Sequence, residues 1–231
     1  MPPSNETRSV HAINLFRGLY CSGKRKKIGR ATAIHFYPPS LYVSKPAMKI
    51  CIVSDSHDNR RLLDYAVADA KARGALAVLH CGDVVAPTTL RVLQKHGLPV
   101  HVVHGNNTGD LFSLGKLSCE PASVVQYHGP DADLTLHGKK IFMVHYPHYA
   151  RGMATTGDWD VVCCGHDHKS EVQSVKNIRG GETLLVNPGT VGGVGAAPTY
   201  ILADLGTMRF DILEVPAPAN EVCNMPRVAP H

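Results

Sequence analysis

The sequence predicts an α/β fold in which two β-sheets pack face to face with helices on the outside. Three observations predict it. From residue 49 to 102 the chain runs strand, helix, strand, helix, strand, the order of a parallel sheet built by right-handed crossovers. Beyond residue 122 it is mostly short strand-like segments separated by turns, which have to form a second set of pairings. The length of 231 residues, with 44% hydrophobic and 19% charged residues, supplies one substantial core, and no run is long and apolar enough to span a membrane.

Residues 1–47 stand apart. They show no sustained period of 2 or 3.6 and mix Pro, Ser and Gly with a basic cluster, GKRKK. Eight Lys or Arg face Glu6 alone, a net charge of +7, whereas residues 48–231 carry 16 bases and 18 acids, net −2. The overall charge of +5 is therefore a property of a basic, poorly ordered extension. That extension lacks the apolar stretch of a secretory signal. An organelle transit segment and a nucleic-acid arm remain alternatives. The preferred reading is that Met48, standing just before a clean strand, is a start and that residues 1–47 are an upstream read-through. The near-neutral remainder has no nucleic-acid footprint of its own.

The elements follow in order. KICIVS (49–54) is a continuous apolar run, as in a strand buried on both faces. Asn59 to Arg73 carries Leu62, Leu63, Ala66, Val67 and Ala70 on one helical stripe and stops at Gly74. ALAVLH is a second strand, Pro87 to His96 a second helix stopped at Gly97, and PVHVVH a third strand. Then come SVVQYH, ADLTLHG, KKIFMVH, WDVVCCG, SEVQSVKN, ETLLVN, TYILADL and MRFDILEV, with Tyr146 to Gly157 able to add a helix among them. A domain over residues 48–215 results, followed by a Pro/Ala-rich tail over 216–231. Seven scattered cysteines without a CxxC pair read as buried thiols in a reducing, cytoplasmic setting, not as a disulfide framework.

Histidine is the unusual residue: of fourteen, eleven lie between His57 and His168. Ligand sites in open α/β sheets gather at the carboxyl ends of the strands. There the first strand yields Asp55 and His57, the second Asp83 and the third Asn106. KKIFMVH yields His145, and WDVVCCG yields His166 and His168 in GHDH. Each motif alone is ordinary turn chemistry. Five strand ends delivering seven O or N donors to one rim are not. Imidazole, carboxylate and amide without thiolate suit Zn, Mn, Fe, Co or Ni. Seven donors exceed the needs of one such ion, so two ions are implied. A pair roughly 3.5–4 Å apart under a bridging carboxylate forms a clamp for displacement at phosphorus, with a metal-bound hydroxide as nucleophile.

The order D-x-H, G-D, G-N, lone His, G-H-x-H resembles that of the calcineurin-like metallophosphoesterase superfamily. The resemblance covers residues 48–215. The opening MKICIVSDSHDN and the late NPGT (Asn187 to Thr190) look most like the small bacterial and archaeal YfcE-type phosphodiesterases. It implies a four-layer αββα sandwich, which agrees with the two-sheet reading. It also implies that Asp55, His57 and His168 hold one divalent transition-metal ion and Asn106, His145 and His166 a second. Asp83 would bridge them, with manganese the first expectation for the metal. The implied activity is hydrolysis of phosphodiesters, with phosphomonoesters next, of a small phosphorylated substrate. No membrane or nucleic-acid partner is expected, and a homo-oligomer is among the permitted assemblies. NPGT itself reads as a plain Pro-Gly turn.

One position departs from the family pattern. Where many members carry G-N-H, this chain has Asn107, which donates hydrogen bonds but cannot act as a general acid. His148, three residues after His145, is the candidate substitute; a surface histidine beside Pro147 is its plainer reading. Asn107 and His148 are accordingly the expected catalytic residues. Two alternatives stand beside the enzyme: a catalytically weak interaction module on the same fold, as the retromer vacuolar-sorting subunit is, and a nuclease using GKRKK as its arm.

Overall fold

A computed structural model describes residues 48–218; the basic leader and residues 219–231 of the tail lie outside the described residues. The first sheet has the order β11-β10-β1-β2-β3-β4. Its centre is β1 (Lys49–Val53), β2 (Ala75–His80), β3 (Val100–Val102) and β4 (Val125–Tyr127), all parallel. β10 (Thr199–Asp204) joins β1 antiparallel, and β11 (Arg209–Glu214) closes that edge as a hairpin. The second sheet has the order β5-β6-β7-β9-β8. It uses β5 (Asp131–Leu136), β6 (Lys139–Val144), β7 (Val161–Cys163), β8 (Ser170–Lys176) and β9 (Glu182–Pro188). β6, β7 and β9 run parallel at its centre, flanked by the antiparallel edges β5 and β8.

The alternation of side chains along each strand makes the layers. Ile50 and Ile52 of β1 point between the sheets, where they meet Ile141, Met143, Val161, Cys163 and Val186 of the second sheet. Cys51 and Val53 point the other way, under α1 (Arg60–Ala72), the helix over Pro87–His96 and α2 (Leu111–Cys119). Val144, Val162 and Cys164 pack on Ala150 and Ala154 of α3 (Pro147–Thr156) on the far side of the second sheet. The result is the helix–sheet–sheet–helix sandwich expected.

Local chemistry sets the element ends. Asn59 caps α1, its side-chain oxygen accepting from Leu62 N at 3.2 Å, and the five residues of the apolar stripe are all buried. Pro87–His96 is helical as expected, but it is a 3₁₀ helix. Its i→i+3 bonds include Thr89 N to Ala86 O at 2.9 Å. Its first turn is pinned by Asp58, whose Oδ1 accepts from Ala86 N and from Thr89 Oγ1, each at 2.7 Å. α2 was not expected: in the sequence the PVHVVH strand is followed directly by SVVQYH as the next predicted element. Asp110 caps it, accepting from Ser113 N at 2.9 Å, and Leu114 and Leu117 supply a two-residue buried face.

Candidate metal centre

The parallel strands β1, β2, β3, β6 and β7 point their carboxyl ends at one rim, and the structure brings all seven expected donors together there. Asp55, Asp83 and His145 form the floor, 0%, 2% and 0% exposed. His57 and His168 face Asp55: their Nε2 atoms lie 3.8 and 3.3 Å from its Oδ1, and 3.3 Å from each other. On the other side Asn106 Oδ1 lies 3.0 Å from His145 Nε2 and 2.8 Å from His166 Nδ1. Asp83 touches both groups, with Oδ2 3.8 Å from His57 Nε2 and Oδ1 3.4 Å from His145 Nε2.

The donors are oriented, not merely near. Backbone carbonyls can only accept, so they fix the tautomers. His145 Nδ1 donates to Cys81 O at 2.8 Å and His168 Nδ1 to Val194 O at 2.7 Å. Both Nε2 atoms are thereby turned to the rim, the outer contact that metal-binding imidazoles use. Asp55 Oδ1 is buried without a hydrogen-bond donor. The ion-pair partners of Asp55 and Asp83 among the described residues are imidazoles only. Buried carboxylates carry a large desolvation cost, which a bound cation would offset. The residues present therefore fit divalent transition-metal ions.

The electrostatics agree. Burial alone would push the Asp55 carboxyl up, but His168, His145 and the His166 amide outweigh it and hold it below the usual carboxylate range. Burial holds His57 below the ordinary imidazole value, against the pull of Asp55 and Asp83. The Asp55 carboxylate, 3.3 Å away, raises His168. Backbone strain is concentrated in the same place. Asp55, His57, Asp83, His166 and His168 all have positive φ, between 41° and 77°, as does the β-branched Val85 at 72°. Non-glycine residues in that region persist only where the surroundings over-determine them.

Several supporting residues escaped the sequence reading. NPGT is more than a turn. Thr190 Oγ1 donates to Asp55 O at 2.9 Å, Val191 N to Ser54 O at 2.9 Å, and Asn187 Nδ2 to Gly165 O at 3.0 Å. The loop after β9 thus buttresses both DSH and GHDH. His80, fully buried, hydrogen-bonds Ser56 Oγ at 3.0 Å and accepts from Gly82 N at 3.3 Å. Burial pushes its imidazole down to about 4, so it is neutral. The two expected catalytic residues lie differently. Asn107 turns inward: its backbone N donates to Asp83 Oδ1 at 2.8 Å and its side-chain amide to Asp83 Oδ2 at 2.6 Å. His148 is exposed in the first turn of α3. Its ring packs on Tyr149 and Tyr146 and hydrogen-bonds none of the seven.

Comparison with known proteins gives three findings. Residues 48–208 match the model of the calcineurin-like phosphoesterase superfamily domain. Phosphodiesterase MJ0936 of Methanocaldococcus jannaschii is 26% identical over 144 residues, 62% of this chain and 83% of that protein. Two solved structures share the fold. One, of a novel archaeal phosphodiesterase, has a TM-score of 0.65 at 23% identity, over 72% of this chain and 99% of that one. The other, of a predicted phosphoesterase from Streptococcus pneumoniae TIGR4, has a TM-score of 0.51 at 19% identity, over 74% and 91%.

Proposed function

The chain belongs to the calcineurin-like phosphoesterase superfamily, and from that premise we propose that it is a phosphodiesterase working through a binuclear metal centre. One observation carries the reading: a buried carboxylate, Asp83, stands between two groups of oriented donors and touches both. In this proposal Asp55, His57 and His168 hold one ion, Asn106, His145 and His166 the other, and Asp83 is shared. When bound, such ions supply Lewis-acid charge for the phosphoryl oxygens and acidify a water to a hydroxide nucleophile near neutral pH.

The rest is done by the chain. Cys81 O and Val194 O hold His145 and His168 in the ligating tautomer. Asn107 holds the plane of Asp83 by gripping both of its oxygens. Mn²⁺ is the first choice of metal and Zn, Fe, Ni or Co the alternatives. A small phosphorylated substrate in a cytoplasmic setting completes the proposal. It fits the free cysteines, four of the five described being buried, and no described helix is long and apolar enough to cross a membrane. Metal analysis and hydrolysis of bis(p-nitrophenyl) phosphate with added Mn²⁺ test it. Two ions per chain and turnover abolished by a chelator are expected. Less than one ion, or turnover indifferent to the chelator, would sink it.

The leaving group needs a proton from somewhere other than Asn107, whose amide is engaged and carries no acidic proton. We assign that role to His148, an exposed imidazole on the first turn of α3. General acids contribute typically 10²–10⁴-fold where the leaving group is poor. His148→Gln should therefore slow an alkyl phosphodiester by about a hundredfold and hardly affect loss of p-nitrophenolate, which needs no proton. Equal effects on both substrates would remove His148 from the mechanism.

A further inference from the structure

The peptide joining Cys81 to Gly82, just past the end of β2, lies between two buried histidines. On one side Gly82 N donates to His80 Nδ1 at 3.3 Å. On the other Cys81 O accepts from His145 Nδ1 at 2.8 Å. A trans peptide is planar and points its N–H and C=O in opposite directions, so one rotation of this unit breaks both bonds. The peptides before and after it are held by the end of β1, through Cys81 N to Val53 O at 2.8 Å and Asp55 N to Gly82 O at 2.9 Å. The one between them is held by imidazoles at both of its polar groups.

The same peptide sets the protons of both rings. An amide N–H only donates, so Nδ1 of the neutral His80 carries no proton, and its Nε2–H donates to Ser56 Oγ at 3.0 Å. A reversed peptide would aim the Gly82 N–H at His145 Nδ1. The His145 proton would then sit on Nε2, the atom that faces Asp83 and Asn106, and a protonated nitrogen cannot ligate. Glycine is required at the turn itself. Gly82 has a φ of 106°, and a Cβ there would lie 2.6 Å from His145 Nδ1.

We propose that His80 is a positioning residue for the metal centre. By accepting from Gly82 N it fixes the orientation of the Cys81–Gly82 peptide, and through that peptide the ligating tautomer of His145. His80 itself hydrogen-bonds none of the seven donors. The inference rests on the metal-centre reading and adds to it the residue that keeps one ligand ready.

Three substitutions separate the two ends of the His80 ring. His80→Asn places Oδ1 where Nδ1 stands and can accept from Gly82 N. His80→Gln reaches Ser56 instead, and His80→Leu does neither. Proton–nitrogen correlation spectra of the metal-free protein at about pH 8.5, above the ordinary imidazole range, read which His145 nitrogen holds the proton. The His145 signals are those lost in His145→Asn. Calorimetric titration with Mn²⁺ reads the affinity for each ion. The unsubstituted protein and His80→Asn should hold the His145 proton on Nδ1 alone. His80→Gln and His80→Leu should show part of it on Nε2. Both should bind one ion about tenfold to a hundredfold more weakly, the scale for losing an outer partner of a metal-binding imidazole. A His145 proton confined to Nδ1 in His80→Leu, an unweakened ion there, or equal behaviour of the Asn and Gln variants overturns the proposal. If His80→Leu does not fold, the contrast between Asn and Gln decides. An unsubstituted protein that takes up no Mn²⁺ would instead sink the metal-centre reading, and the metal-free spectra alone would then judge the role of His80.

Discussion

Asp83→Asn is expected to lower kcat on the order of a thousandfold and to leave the protein folded. The substitution keeps shape and volume while removing one charge from a residue 2% exposed. Asn107 donates to both Asp83 oxygens, so the new amide can keep one of those bonds and must lose or reverse the other. The larger effect is on cation binding, because the Asp83 carboxylate lies within 3.8 Å of His57 Nε2 in one group and 3.4 Å of His145 Nε2 in the other. The stability signature is distinctive. In chelator, removal of a buried carboxylate relieves a desolvation cost, so the melting temperature should hold or rise. With Mn²⁺ it should fall relative to the unsubstituted protein, since an ion that binds only the folded state stabilises it by mass action. The comparison is therefore the rise in melting temperature on adding Mn²⁺, measured in both proteins. An equal rise in the two would show that Asp83 takes no part in holding an ion.

The donors were legible because a parallel strand announces its own end. KICIVS and ALAVLH are apolar throughout, so the first polar residues after them had to lie at the carboxyl edge, where Asp55, His57 and Asp83 stand. Support for those residues was not legible, since it arrives from across the fold. Thr190 reaches Asp55 across 135 residues and Asn187 reaches Gly165 across 22, and neither spacing leaves a local pattern. NPGT carries the composition of a Pro-Gly turn, and only the pairing of β10 beside β1 places it under the DSH loop.

The misjudged elements fail for local reasons. α2 is nine residues long with two buried leucines, too short for a periodic stripe to show, and its cap, Asp110, belongs to a stretch that reads as a turn. The Pro87–His96 segment has helical spacing of Thr89, Leu90 and Leu93, but periods of 3.0 and 3.6 scarcely separate over so few buried residues. Asn107 is instructive in a different way. Its side chain could have pointed to substrate or to the carboxylate beneath, and residue type alone does not choose. The inward choice follows from the backbone, which already presents Asn107 N to Asp83 Oδ1.

Gly105→Ala should disable the centre by steric means alone. In the sequence Gly105 reads as a turn glycine of HGNN. In the structure it is absent from the positive-φ residues, so alanine meets no conformational penalty there. What it meets is the site. A Cβ on Gly105 would fall 2.6 Å from His145 Nε2 and Cδ2, and well inside contact distance of Asp83 Oδ1. All three are side-chain atoms, so they can move, but only by leaving the rim. A methyl group here therefore displaces a shared carboxylate and an imidazole together, where Asp83→Asn alters only charge. A misplacement on the scale of 1 Å costs about a hundredfold in an oriented site. Gly105→Ala is expected to lose at least that much in kcat and to bind fewer than two ions, with the far-ultraviolet spectrum unchanged. Gly109 is the contrast, since its φ is 57° and its Cβ would strike the backbone carbonyl of Val85, a contact no side-chain rotation relieves. Full activity and a full metal load in Gly105→Ala would mean that Asp83 and His145 can give way without consequence, and that the floor of the centre is not where the seven donors place it.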